Sequence, residues 1–279
     1  MKPITACLLA LSTLTLLGQS RSAHAQATFF PNDATINYAI AGEADIGEDD
    51  DGNQSDSNNN PYNPTVSLVT GGSISGVTNV WNGSVFNMSG GSTGTDANFD
   101  SVFTYGTSTA NISGGTIAGG VYAATSSVVN FSGGDILASS SVQAEGLYAD
   151  INSTINITGG TNAVGLNAAA QGTFNIRGGA LLPGAQLYAQ DSSTLNFFGN
   201  NLKARLTSTL GGVDTYTLSG TLTDGSDLAG IQMIIAGSAT YTFNGGLGLP
   251  PPVPEPGSLA LLCGLGVMGA GLLCRQRRR

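Results

Sequence analysis

Histidine and cysteine are missing from almost the whole chain. The only histidine is His24, and the three cysteines, Cys7, Cys263 and Cys274, sit near the two ends. Between Gln26 and Pro252 there is neither, which excludes disulfide staples, thiol nucleophiles, His-based triads and metal sites built on His or Cys. Basic residues are almost as scarce: the same stretch holds seventeen Asp and Glu against Arg177, Lys203 and Arg205, a net charge of −14. Such a surface repels nucleic acid and anionic lipid, and suits Ca²⁺ or a dilute extracellular medium. Aromatic residues make up 7% of the chain, so a core must be filled largely by aliphatic side chains, and glycine is abundant at 41 of 279 residues.

The two ends differ from the middle. Met1-Lys2-Pro3 places one positive charge ahead of an apolar run, Ile4 to Leu17, and a small-x-small site follows at Ala23-His24-Ala25. This is a secretory signal, with a signal helix over 1–25 and signal peptidase cleavage expected before Gln26; the run is short for a spanning helix. At the other end Val253-Pro254-Glu255-Pro256 precedes an uncharged apolar run from Gly257 to Cys274, closed by Arg275, Arg277, Arg278 and Arg279. As a helix that run spans ~27 Å, close to a hydrocarbon core, and the prolines mark its start. The arginines favour the cytoplasmic side and place everything before the span outside.

The order Val253-Pro254-Glu255-Pro256, apolar helix, arginine cluster resembles the PEP-CTERM sorting domains, also called the ice-binding protein C-terminal domain. The resemblance covers about residues 253–279. It implies recognition and processing near Pro254-Glu255-Pro256 by an exosortase, in the inner membrane of a Gram-negative bacterium that makes extracellular polysaccharide. About the activity of the remaining residues it implies nothing.

The middle is a repeat. Seven strand-like segments end in Gly-rich turns, among them Phe86-Asn87-Met88-Ser89-Gly90-Gly91, Val129-Asn130-Phe131-Ser132-Gly133-Gly134 and Ile155-Asn156-Ile157-Thr158-Gly159-Gly160. From Asn87 the asparagines recur at intervals of 24, 19, 26, 19 and 21 residues. A second register lies eight residues earlier, at Val102-Phe103-Thr104, Val121-Tyr122-Ala123, Leu147-Tyr148-Ala149, Leu166-Asn167-Ala168 and Leu187-Tyr188-Ala189. Both registers alternate with period two, so each is a strand with one buried face. A period near twenty with two or three strands, stacked ~4.8 Å apart, predicts an all-β parallel β-helix (solenoid) of about seven coils. The repeats also resemble autotransporter-type passenger repeats over about residues 64–200. The expected order is signal 1–25, N-terminal cap and acidic loop 26–63, repeats 64–202, C-terminal β cap 203–244, linker 245–252, and anchor 253–279.

Four features invite a chemical reading. The outward asparagines form a ladder that either stabilises the coil through amide hydrogen bonds, or presents a flat Thr/Asn/Ser face to polysaccharide or ice. The outward Tyr122, Tyr148 and Tyr188, with a break at Asn167, either cover the sheet or stack on sugar rings. The run Glu48 to Asp56 clusters hard oxygens that suit Ca²⁺, with Asp49, Asp51 and Asp56 as candidate ligands, although the spacing is not that of an EF-hand loop and a solvated acidic loop accounts for it better. Asp96 or Asp100 with Glu145 supplies the carboxylate pair that a polysaccharide hydrolase or lyase would need, but no convergent partners accompany it. The expectation is therefore a noncatalytic structural or adhesive protein, without a resident cofactor, whose partner is extracellular polysaccharide.

Overall fold

The computed structural model describes residues 27–48, 61–94, 100–137, 146–182 and 184–245. Outside them lie the signal-cleavage residues Ala23, Ala25 and Gln26, the candidate Ca²⁺ ligands Asp49, Asp51 and Asp56, Asp96 and Glu145, and both expected terminal helices with the segment from Val253 to Arg279. No helix among the described residues is long and apolar enough to cross a membrane.

Every regular element among the described residues is a strand. A first coil holds β1 (Thr28–Phe30), β2 (Ala34–Ile36) and β3 (Ala39–Ile40), and a second β4 (Ala44–Ile46), β5 (Thr65–Leu68) and β6 (Ser73–Ile74). Five regular coils follow: β7 (Thr78–Val80) with β8 (Val85–Thr93), β9 (Val102–Thr104) with β10 (Thr109–Ile117), β11 (Val121–Ala123) with β12 (Val128–Ile136), β13 (Leu147–Ala149) with β14 (Thr154–Asn162), and β15 (Gly165–Ala168) with β16 (Thr173–Leu181). Then come β17 (Gln186–Ala189), the long β18 (Thr194–Leu210), β19 (Val213–Leu222), β20 (Gln232–Ala236) and β21 (Thr240–Gly245).

Each coil pairs in parallel with the next, so the strands form columns. The short strands β1, β4, β7, β9, β11, β13, β15, β17 and β20 make one face. The first halves of the nine-residue strands make a second face, flanked by β2 and β5 at one end and by β18 and β21 at the other. Their last residues, with β3 and β6, make a narrow third. The fold is thus a β-solenoid, and its regular part counts about five turns rather than seven. The difference lies in the outermost two repeats. The first is split into β5 and β6, while the last leaves the coil after Phe198 to form an antiparallel hairpin with β19 before β20 and β21 return to the columns.

Alternation decides what fills the interior. On the second face the pattern puts Phe86, Met88, Ile112, Phe131, Ile155, Phe174, Ile176 and Phe197 inside, all essentially without solvent exposure. Val102, Val121, Leu147, Leu166 and Leu187 face them from the first. Four of the largest buried side chains are phenylalanines, so a chain poor in aromatics places several where volume is needed.

The corners are made by two devices. Between the second and third faces a Gly-Gly pair lets one continuous strand bend. A Cβ on Gly133 would come within 2.5 Å of the Ser113 carbonyl oxygen on the neighbouring coil, and Gly134 has φ +91°. One glycine answers to space and the other to backbone conformation. Between the first and second faces the chain makes tight turns closed by backbone bonds such as Ser127 N to Ala124 O (3.2 Å) and Ser153 N to Asp150 O (2.9 Å). Their central residues are left-handed although they are not glycine: Thr125 and Ser126 have φ of 52° and 71°, Ile151 and Asn152 of 36° and 61°. Beneath these turns Ser84, Ser108, Ser127, Ser153 and Ser193 stack with no exposure. Ser127 Oγ lies 2.8 Å from Thr104 Oγ1, and Ser153 Oγ donates to the Ala123 carbonyl at 2.9 Å.

Ile151 is the turn residue worst matched to its backbone, being β-branched, left-handed and 46% exposed. Replacing it with Asn, which adopts that conformation readily, is expected to raise stability by about 1 kcal/mol. Denaturant unfolding of Ile151→Asn beside the parent checks this; an unchanged or lower midpoint would contradict the strain.

Candidate functional site

Two rows of half-buried side chains run along the outside of the solenoid. On the second face Asn87, Asn111, Asn130, Asn156, Asn175 and Asn196 occupy one register. Each Nδ2 donates to the Oδ1 of the preceding asparagine: Asn111 to Asn87 at 2.9 Å, Asn130 to Asn111 at 2.8 Å, Asn156 to Asn130 at 2.9 Å, Asn175 to Asn156 at 2.9 Å and Asn196 to Asn175 at 3.0 Å. Thr242 closes the row by donating its hydroxyl to Asn196 Oδ1 at 2.7 Å. The ladder thus orients every amide along the axis. Such a chain of aligned dipoles strengthens itself where water is partly excluded.

The first face carries the aromatic row. Tyr122 and Tyr148 are register partners whose rings stack with centroids 4.7 Å apart and 23° between planes. On the other side of Tyr122 stands Phe103, 5.5 Å away and tilted by 40°. Tyr105 and Trp81 continue the stack beside it, with Phe103 to Tyr105 at 6.1 Å and Trp81 to Tyr105 at 4.6 Å. Neighbouring rungs are ~4.8 Å apart, so rings stacked at that distance cover one another's faces and turn their edges outward. Beyond Tyr148 the column continues with Asn167, then Tyr188, then Ile234. The row predicted from spacing is therefore in register, but it is divided: Tyr122 and Tyr148 touch, and Tyr188 stands apart.

Sequence spacing missed Trp81, Tyr105 and Asp150. They follow the outward residue of their rung by two positions, so the same period-two signal continues past the three-residue window into the turn. Asp150 accepts the Tyr122 hydroxyl at 2.7 Å and also the Ile151 backbone N–H at 2.9 Å. At the N-terminal end of the column Asn79 Nδ2 donates both to Glu43 Oε1 and to Asp45 Oδ1, the latter at 2.8 Å, and Asp45 is only 7% exposed. Burial first, then the negative charges of Asp100 and Glu43, push the Tyr105 phenol above its ordinary range. Among the described residues no group of three acidic side chains is placed to hold a metal ion.

The Tyr122 phenol is also held above its usual range, by burial first and then by the hydrogen bond to Asp150 and that carboxylate's charge. The folded chain keeps a proton that the unfolded chain loses at a pH of about 10. This stability is fully present below that pH and is lost as pH rises beyond it towards the folded value. Denaturation midpoints measured from pH 8 to 11 are expected to fall for the parent and to fall less steeply for Tyr122→Phe. Equal slopes would show that the phenol does not couple to folding.

Against known proteins, no curated protein and no solved structure matches the chain. One family model does match, over residues 252–279, and it describes a PEP-CTERM protein-sorting motif. The matched segment holds Val253, Pro254, Glu255 and Pro256, the apolar run and the four terminal arginines. The chain carries the PEP-CTERM sorting motif, which makes it an exported protein recognised and processed by an exosortase, with a membrane-anchoring region near its C-terminus.

Proposed function

We propose that the exported solenoid is a noncatalytic structural and adhesive element of the cell surface or extracellular matrix of a Gram-negative bacterium, with neutral polysaccharide as its partner. The asparagine ladder carries this reading. Each interior amide in it donates to one neighbour and accepts from the other, so the row ties successive coils together. A body tied lengthwise in this way is a stiff spacer, suited to holding a surface away from the membrane. The aromatic stack supports the same reading, because its rings pack on one another over several coils. Asn79 joins the paired carboxylates of Glu43 and Asp45 as a shared donor, a structural use of the pair.

In this scheme signal peptidase removes residues 1–25. The run from Gly257 to Cys274 then holds the chain in the inner membrane, with Arg275, Arg277, Arg278 and Arg279 on the cytoplasmic side, until the exosortase acts. Truncation after Pro252 is expected to release soluble protein into the periplasm or medium. A truncated chain that still fractionates with membranes as the full one does would require another anchor.

Asn156→Ala removes one donor and one acceptor from the middle of the ladder and is expected to cost about 1–2 kcal/mol of stability. Retention on isolated matrix polysaccharide should be unchanged at temperatures where the variant is folded. Loss of retention by the folded variant would instead make the asparagine face the binding surface.

A further inference from the structure

The aromatic column has one interruption. Tyr148 and Tyr188 flank Asn167 on adjacent rungs, where a third ring would complete the stack. We propose that this gap is a subsite for a single neutral hexopyranose ring of a polysaccharide, held between Tyr148 and Tyr188 over Asn167; the inference rests on the carbohydrate reading above.

Dimensions come first. Two rungs separate the tyrosines by ~9.6 Å along the axis. A ring in van der Waals contact on both sides needs ~7–8 Å, and a puckered pyranose takes up the remainder. The Asn167 side chain is much shorter than a phenol, so it floors the gap without filling its outer part. The stacked portion of the row offers no such place, since Tyr122 has Phe103 on one side and Tyr148 on the other. Tyr188, by contrast, makes no ring contact and no side-chain hydrogen bond among the described residues, and on its far side the column continues with half-buried Ile234.

Chemistry agrees with size. Asn167 Oδ1 is shielded from solvent and accepts no hydrogen bond among the described residues, an arrangement that costs free energy until a donor arrives. A sugar supplies what the gap lacks: a hydroxyl donor for that oxygen once the flanking side chains part to admit it, and C–H faces for the electron-rich tyrosine rings. Gln186 and Gln190, two positions either side of Tyr188, add neutral amides. With Asp150 on the Tyr148 rung and a strongly negative domain around it, a uronic acid is disfavoured against a neutral hexose.

The test uses the full chain in detergent micelles, probed with an array of neutral and uronic oligosaccharides and then by calorimetry with the best neutral hexasaccharide. Asn167→Tyr completes the stack and is expected to weaken binding at least tenfold while the thermal midpoint holds or rises. Tyr188→Ala, which removes one wall, should show the same loss should Asn167→Tyr not fold. Parent-like binding by the folded Asn167→Tyr chain, or by Tyr188→Ala, would overturn the subsite and leave the carbohydrate reading standing. A parent that binds no neutral oligosaccharide on the array would overturn both.

Discussion

Parallel pairing of each strand with its copy one coil later is the constraint on which everything else rests. Once Asn111 sits over Asn87 and under Asn130, every other position of the repeat is fixed on its own column. Alike side chains then meet alike: serine under the turn, phenylalanine in the core, asparagine and tyrosine outside. A slip of one residue would send Ile155 and Ile157 to solvent and bury Asn156, so the hydrophobic alternation guards the register. The asparagine ladder reinforces it, because an amide finds its donor and acceptor only when its neighbours lie directly above and below.

Columns require corners that repeat as faithfully as the strands do, and the two corners achieve this differently. At Gly133-Gly134 the chain uses residues with neither Cβ nor a φ preference, which brings neighbouring coils close enough to continue pairing around the bend. At Thr125-Ser126 and Ile151 the turn is enforced on residues that resist it. The pairing on both sides and the buried serines beneath over-determine the conformation, which is how a left-handed isoleucine persists.

Much of this was legible in the sequence. The twenty-residue period, the two strand registers, the inward and outward faces and the position of the break at Asn167 follow from spacing alone, since a period of two leaves one choice of face once the apolar residues are known. What spacing could not convey was ring orientation. Whether Tyr122 shows its face to solvent or to Tyr148 depends on side-chain torsions, and the structure turns it to Tyr148. The contributions of Trp81, Tyr105 and Asp150 were hidden for a related reason, because they stand in turns where the strand pattern has no formal claim. The excursion from Phe198 to Leu222 was half visible: a β cap over 203–244 was expected, but the return of β20 and β21 to the parallel columns depends on pairing partners far away in sequence.

That excursion gives the first face a terminus. Parallel rungs are self-templating, and an open last rung invites another chain to add itself. Here β20 pairs on one side with β17 in parallel and on the other with β19 in the opposite direction, so the polarity of the column is reversed at its end. The next strand outward is the arm of β18, which carries Lys203 and Arg205, two of the three basic residues between Gln26 and Pro252. Cations on a reversed outer strand discourage an incoming backbone, so two of the few positive charges of this domain stand along the edge where the first face ends.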